Sequence, residues 1–232
     1  MLFLALFAIA ALISDQIKFS ALWGASNQFF TAFQFIGPIA GGFLGVAAGA
    51  VSVLFAELIS FAYLGKEASL LNVLRLAPMI FAAIYFAKFG AKFDLKNNKI
   101  LLVPIAAILL FITHPVGSQV WYYSMFWTIP LIAAFLLPNN LFARSLGTTF
   151  TAHSVGGIVW LMLVPTTPAF WAALIPVVLM ERMAFAAGIS VSFVAFNTVL
   201  SKVESLIPAQ FVKIDRRYAL FGTPAPAKLL RK

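Results

Sequence analysis

Residues 19–56, 100–143 and 145–180 contain no Asp, Glu, Lys or Arg, and each gap can hold at least one membrane crossing of about 20 residues. A soluble core has no room for that much uninterrupted apolar chain. Of 232 residues, 62% are hydrophobic and 10% charged, against about 25% charged in a soluble domain; the mean hydropathy is +1.00. The chain therefore reads as a polytopic, all-α integral membrane protein. Runs this long and without strict alternation do not suit a membrane barrel.

Apolar runs bounded by turn residues fall at 1–22, 29–44, 45–64, 69–87, 100–113, 118–137, 148–164 and 179–200. They predict six core spans, with room for an extra hairpin in 100–137 among up to eight apolar segments. The stretch from Met1 to Ser14 has no basic residue ahead of it and reads as a retained first span. Pro168 and Pro176 suggest an outer connection over 165–178, which places Glu181 and Arg182 near the outer face. Residues 1–206 form the expected bundle and 207–232 a basic tail.

The net charge of +9 is not that of a nucleic-acid binder, because it is concentrated beside hydrophobic segments. Lys88, Lys92, Lys96 and Lys99 form one cluster; Lys213, Arg216, Arg217, Lys228, Arg231 and Lys232 form the other. The positive-inside bias puts both on the cytoplasmic side of the cell membrane, and both termini with them. No cysteine is present, so disulfides, thiolate metal sites and cysteine nucleophiles are excluded. No cofactor or metal is expected.

Within this apolar chain, "GPIAGGFLGVAAG" places Gly37, Gly41, Gly45 and Gly49 at a constant spacing of four. Glycine costs about 1 kcal/mol relative to alanine in a helix, so the row needs a purpose. In lipid, small residues four apart let helix backbones approach closely. The row predicts a tight hairpin turning near Gly45 and packed on neighbouring helices; a ligand approaching bare backbone is the other reading.

The stretch "FFTAFQFIGPIAGGFLGVAAGAVSVLFAELIS" resembles the second and third helices of the substrate-binding S components of energy-coupling factor transporters. "TAHSVGGIVWLMLV" and "IPVVLMERMAFAAGIS" are similar to that family's last two helices. The resemblance implies capture of a vitamin-like small molecule from the outer face. It also implies partnership with a transmembrane coupling protein and two ATPase subunits. The chain departs from the family in "ALFAIAALIS", where Ala5, Ala8 and Ala11 stand three apart rather than four, and in the additional pair of runs over 100–137.

Charges inside spans cost at least about 2.5 kcal/mol each and so mark candidate site residues. Glu57 and Arg75 each lie nine residues from Lys66, which sets them at one depth of an antiparallel hairpin, either as a structural ion pair or as the lining of a substrate cavity. Asn72 lies one turn from Arg75 and joins either arrangement. Glu181 and Arg182, being adjacent, point about 100° apart, which predicts no clean pair: one faces the bundle, the other the headgroups, and at least one is a ligand candidate. His153 is a hydrogen-bonded core residue or a ligand contact, and His114 in "THPVG" a turn residue. Trp121 and Tyr122, with Tyr123 and Trp127, form an interfacial belt or a stacking surface for a flat substrate. Asn27, Gln28 and Gln34 either bind ligand or solvate a loop.

No HExxH, GxSxG or GxxxxGK[ST] pattern occurs in the sequence, so neither a familiar intramembrane hydrolase nor a self-powered Walker-type transporter is indicated. The expectation is a binding component of a multi-subunit ATP-driven uptake transporter, in contact with its small-molecule substrate and the lipid bilayer. The alternatives are an intramembrane enzyme or a gradient-driven small-molecule transporter.

Overall fold

The structure, a computed structural model, describes residues 2–21, 29–89, 98–204 and 212–220, with side chains from Phe7 onward. Helix α1 (Leu2–Gln16) leads into a two-stranded antiparallel hairpin, β1 (Lys18–Ala21) and β2 (Phe29–Thr31). Two short helices follow, α2 (Phe33–Ile36) and α3 (Ile39–Leu44), then α4 (Val46–Tyr63), α5 (Leu70–Leu74) and α6 (Ala77–Lys88). A 3-10 turn at Lys99–Leu101 opens α7 (Leu102–Thr113). A 3-10 segment (Gly117–Thr128) runs into α8 (Ile129–Leu136), and α9 (Leu141–Leu163) and α10 (Pro168–Lys202) complete the bundle.

Four stretches are long and apolar enough to cross a membrane: Val46–Tyr63, Leu70–Lys88, Leu141–Leu163 and Pro168–Lys202. Shorter apolar helices at Phe7–Gln16, Phe33–Leu44 and Lys99–Thr113 accompany them. The protein is an all-α membrane protein. Its outward surface fits lipid contact: Ile9, Ile13, Val51, Phe55, Leu109, Met180 and Val191 are all exposed.

Three expected runs take a different form. The first ends as helix at Gln16 because Asp15 ties it down, accepting hydrogen bonds from Thr31 Oγ1 at 3.0 Å and from Ser60 Oγ. The chain then turns into β1 instead of completing a 22-residue span. The 118–137 run is mostly 3-10 helix, interrupted where Val120 adopts φ −130° and ψ 37°. Residues 168–178 are helix rather than connection. Pro168 occupies the first turn, where no backbone N–H is needed, and Thr167 caps it by accepting from the Phe170 N–H at 3.3 Å. Pro176 lies inside the same helix, a position that membrane helices tolerate. At 1.5 Å per residue, α10 spans about 52 Å, well beyond a hydrocarbon core of about 30 Å.

The glycine row is split across the turn. Gly45 joins α3 to α4 with φ 82° and ψ −175°, a conformation essentially reserved for glycine. Gly41 and Gly49 then face one another: a Cβ on Gly49 would lie 2.5 Å from the Gly41 Cα, and one on Gly41 would lie 1.9 Å from the Ala83 carbonyl oxygen in α6. A Cβ on Gly37 would meet side chains rather than backbone, the flexible end of Met79 at 2.7 Å and the Phe33 ring at 3.1 Å. The row thus welds the hairpin to itself and to α6.

Helix α9 is the central element, packed against α6, α7, α8 and α10. Three of its hydroxyls are satisfied on its own backbone: Thr148 donates to Arg144 O, Thr151 to Gly147 O and Ser154 to Thr151 O, each at 2.8 Å. Residues 212–220, assigned to the tail on sequence, are docked on the bundle. Lys213 N donates to Phe43 O at 2.8 Å, and Val212 is buried in the cluster that also contains Phe7 and Leu200. Phe7, Arg144 and the 212–220 segment share one end of the bundle; Asp15, Arg75 and His153 lie towards the other.

Candidate functional site

At that other end, a cavity of about 550 Å³ opens between the hairpin, α4, α5, α9 and α10. Most of the sequence candidates meet there. Glu57, Arg75, Asn72, Gln34, His153, Glu181 and Arg182 all line it. Asn27 and Gln28 lie outside the described residues.

Glu57 and Arg75 reach the cavity from α4 and from the end of α5. The Glu57 carboxylate feels attraction from Lys66 and Arg75 and repulsion from Asp15, all on the same cavity wall. Asn72 is committed locally. Its Nδ2 donates to Glu67 O at 3.0 Å, and its backbone N–H donates to the cap hydroxyl of Ser69 at 3.3 Å, which fixes the short helix carrying Arg75.

Glu181 and Arg182 correct the expectation of divergent directions. Both line the cavity, and Arg182 Nη2 pairs with Glu181 Oε2 at 3.3 Å, with side-chain exposures of 2% and 13%. A 100° offset leaves two long side chains able to fold toward each other, and burial rewards doing so, because an uncompensated charge there is costly. The guanidinium lies 4.8 Å from the Phe30 ring centroid and 4.4 Å from that of Phe185, so β2 and α10 hold it from two sides. Glu181, the more open member, presents the acidic edge. Both residues sit in mid-helix rather than at a helix start, because α10 begins at Pro168.

His153 lines the cavity, and both of its ring nitrogens are engaged in hydrogen bonds. The Trp127 indole N–H donates to Nδ1 at 3.0 Å. Indole is only a donor, so Nδ1 accepts and the imidazole proton sits on Nε2. That proton is donated to Tyr123 Oη at 3.1 Å, which leaves the Tyr123 hydroxyl proton for another acceptor. Tyr123 itself lines the cavity and packs edge-on against Trp171, centroids 4.9 Å apart.

Trp121 and Tyr122 are not among the lining residues; they are 54% and 43% exposed on the outer side of the 3-10 segment. The aromatic wall is built from Tyr123, Trp160, Phe170 and Trp171 instead. The spacing of Val120, Tyr123 and Trp127, three and then four residues, is the signal that these share an inward face. Two buried donors of the lining, Trp160 Nε1 and Arg182 Nε, have no hydrogen-bond partner among the described residues. Buried donors are ordinarily satisfied, so both belong to a region suited to an acceptor-bearing molecule. Comparison with protein-family models, curated proteins and solved structures returns no match. The cavity's chemistry therefore carries the functional reading on its own.

Proposed function

We propose that this protein is the membrane-embedded binding component of a multi-subunit, ATP-driven uptake transporter of the energy-coupling factor type, which captures a small polar heteroaromatic molecule. The observation that carries this reading is the cavity itself. One end of a lipid-facing bundle holds a space of about 550 Å³ lined by Glu57, Glu181 and Arg75 together with Tyr123, Trp160 and Trp171. Such a mixture of apolar walls and a few directed polar groups suits a small ligand. The aromatic faces accept a flat ring, and the ionised groups and the Tyr123 hydroxyl accept its polar edge.

Binding is favoured over catalysis by how the titratable groups are engaged. His153 has both nitrogens in hydrogen bonds, and Glu181 is held by Arg182. These bonds fix both side chains as parts of the cavity wall, which suits a preformed binding site. The end opposite the cavity collects Lys88, Lys99, Arg144, Lys202 and Lys213, and by the positive-inside bias this is the cytoplasmic end. The cavity then faces outward. The sequence has no phosphate-binding loop, so in this reading the ATP is spent by partner subunits rather than by this chain.

The test is isolation of the tagged chain from its native membranes in mild detergent. The expected result is co-elution of a second polytopic helical protein and of Walker-motif ATPases, with substrate accumulation in proteoliposomes that depends on ATP. Accumulation by the isolated chain along a proton or sodium gradient without ATP contradicts it.

A further inference from the structure

A second cavity, about 370 Å³, lies at the basic end between the turn into α9 and the 212–220 segment. Three cations line it, Arg144, Lys213 and Arg217, along with one carboxylate, Asp215. Asp215 is taken up by Arg217, which donates from Nε to Oδ1 at 2.9 Å and from Nη2 to Oδ2 at 2.7 Å. Those bonds hold its carboxyl below the usual carboxylate range. Asp215 also attracts Arg144, but one carboxylate against three cations leaves the lining with a net positive charge.

Arg144 is rigidly aimed. Its Nε donates to the Phe86 carbonyl at 2.8 Å and its Nη2 to the same oxygen, while its guanidinium lies 3.7 Å from the Phe86 ring centroid. No hydrogen bond engages its Nη1 among the described residues. Lys213, an exposed lining residue, is anchored through its backbone bond to Phe43 O. Phe89, Leu141 and Phe193 supply apolar wall. Flanking the lining residues Pro138, Asn139, Asn140 and Leu141 in sequence, Leu136, Leu137 and Phe142 are exposed at 73%, 50% and 38%.

We propose that this cavity binds the phosphate of an anionic phospholipid headgroup, held by Arg144 and Lys213, with the acyl chains lying along Leu136, Leu137 and Phe142. A site that is cationic within and flanked in sequence by exposed apolar side chains fits an amphiphile better than a free ion, and basic pockets between membrane helices suit anionic headgroups. The proposal is independent of what the larger cavity binds.

The test is native mass spectrometry of delipidated protein titrated with phosphatidylglycerol or phosphatidylcholine. The wild type is expected to retain phosphatidylglycerol in preference. Lys213→Gln, which keeps the backbone bond to Phe43, should weaken that retention about fivefold, the effect of one basic group near a membrane surface. Lys88→Gln, at the same end but outside the cavity, should leave it unchanged. Equal retention of the two lipids, or equal loss in both variants, reduces the effect to diffuse surface charge and overturns the site. If excess inorganic phosphate occupies the cavity and phosphatidylglycerol does not, the lipid assignment fails.

Discussion

Gly41 and Gly45 do different things at one sequence spacing, and mutation separates them. Alanine at Gly41 drives a methyl into the Ala83 carbonyl, with α3 and α6 fixed on either side, so overpacking should cost about 1 to 3 kcal/mol. Alanine at Gly45 meets nothing within 4 Å; its cost, also about 1 to 3 kcal/mol, comes from backbone strain alone. Both variants should melt lower in detergent, and an unchanged melting temperature for Gly41→Ala would refute the close packing. Much at this scale is legible in sequence: the glycine row announces close approach, and a charge kept within a span announces a polar interior. Which aromatic turns inward is not legible. Trp121, Tyr122 and Tyr123 have nearly the same preference for an interface, and only the facing side chains of Phe111, His153 and Trp171 select Tyr123.

Among the elements, the long apolar helices follow from hydropathy, because lipid allows no other way to satisfy a spanning backbone. The β1–β2 hairpin does not, since its strands carry no alternation strong enough to outweigh the apolar run in which they lie. Its position rests instead on Asp15, whose carboxylate gathers hydroxyls from β2 and α4. Asp15→Ala removes the acceptor for Thr31 and Ser60 and is expected to cost about 1 to 3 kcal/mol in lost charge-assisted hydrogen bonds. Because the bond joins the hairpin to the bundle, hydrogen exchange should accelerate at Phe29–Thr31 before it does in α9. Uniform exchange throughout the chain in this variant would show that Asp15 has no such local role. Pro176 illustrates the opposite error, for a residue that ends helices in water sits within α10 and leaves Glu181 in mid-helix.

At the scale of the whole molecule, two cavities of opposite character sit at the two ends of one bundle. The larger is aromatic and mixed in charge, the smaller cationic with exposed apolar side chains flanking it in sequence. The residues that converge on the larger cavity come from positions as distant as Asp15 and Arg182, a convergence that hydropathy does not encode. Buried charge signalled the members Glu57, Arg75 and Glu181, but the enclosing shape required the packed helices. That this cavity holds a small molecule is the central claim, and native mass spectrometry of gently purified protein tests it most directly. The expected spectrum shows a retained small molecule that is lost on denaturation. It should also be lost in Arg75→Lys, which keeps the charge but not the planar fork, while the ligand-free melting temperature stays that of the ligand-free wild type. Retention undiminished in Arg75→Lys, Glu57→Gln and Glu181→Gln, or no small molecule bound even after incubation with a cell extract, would contradict it.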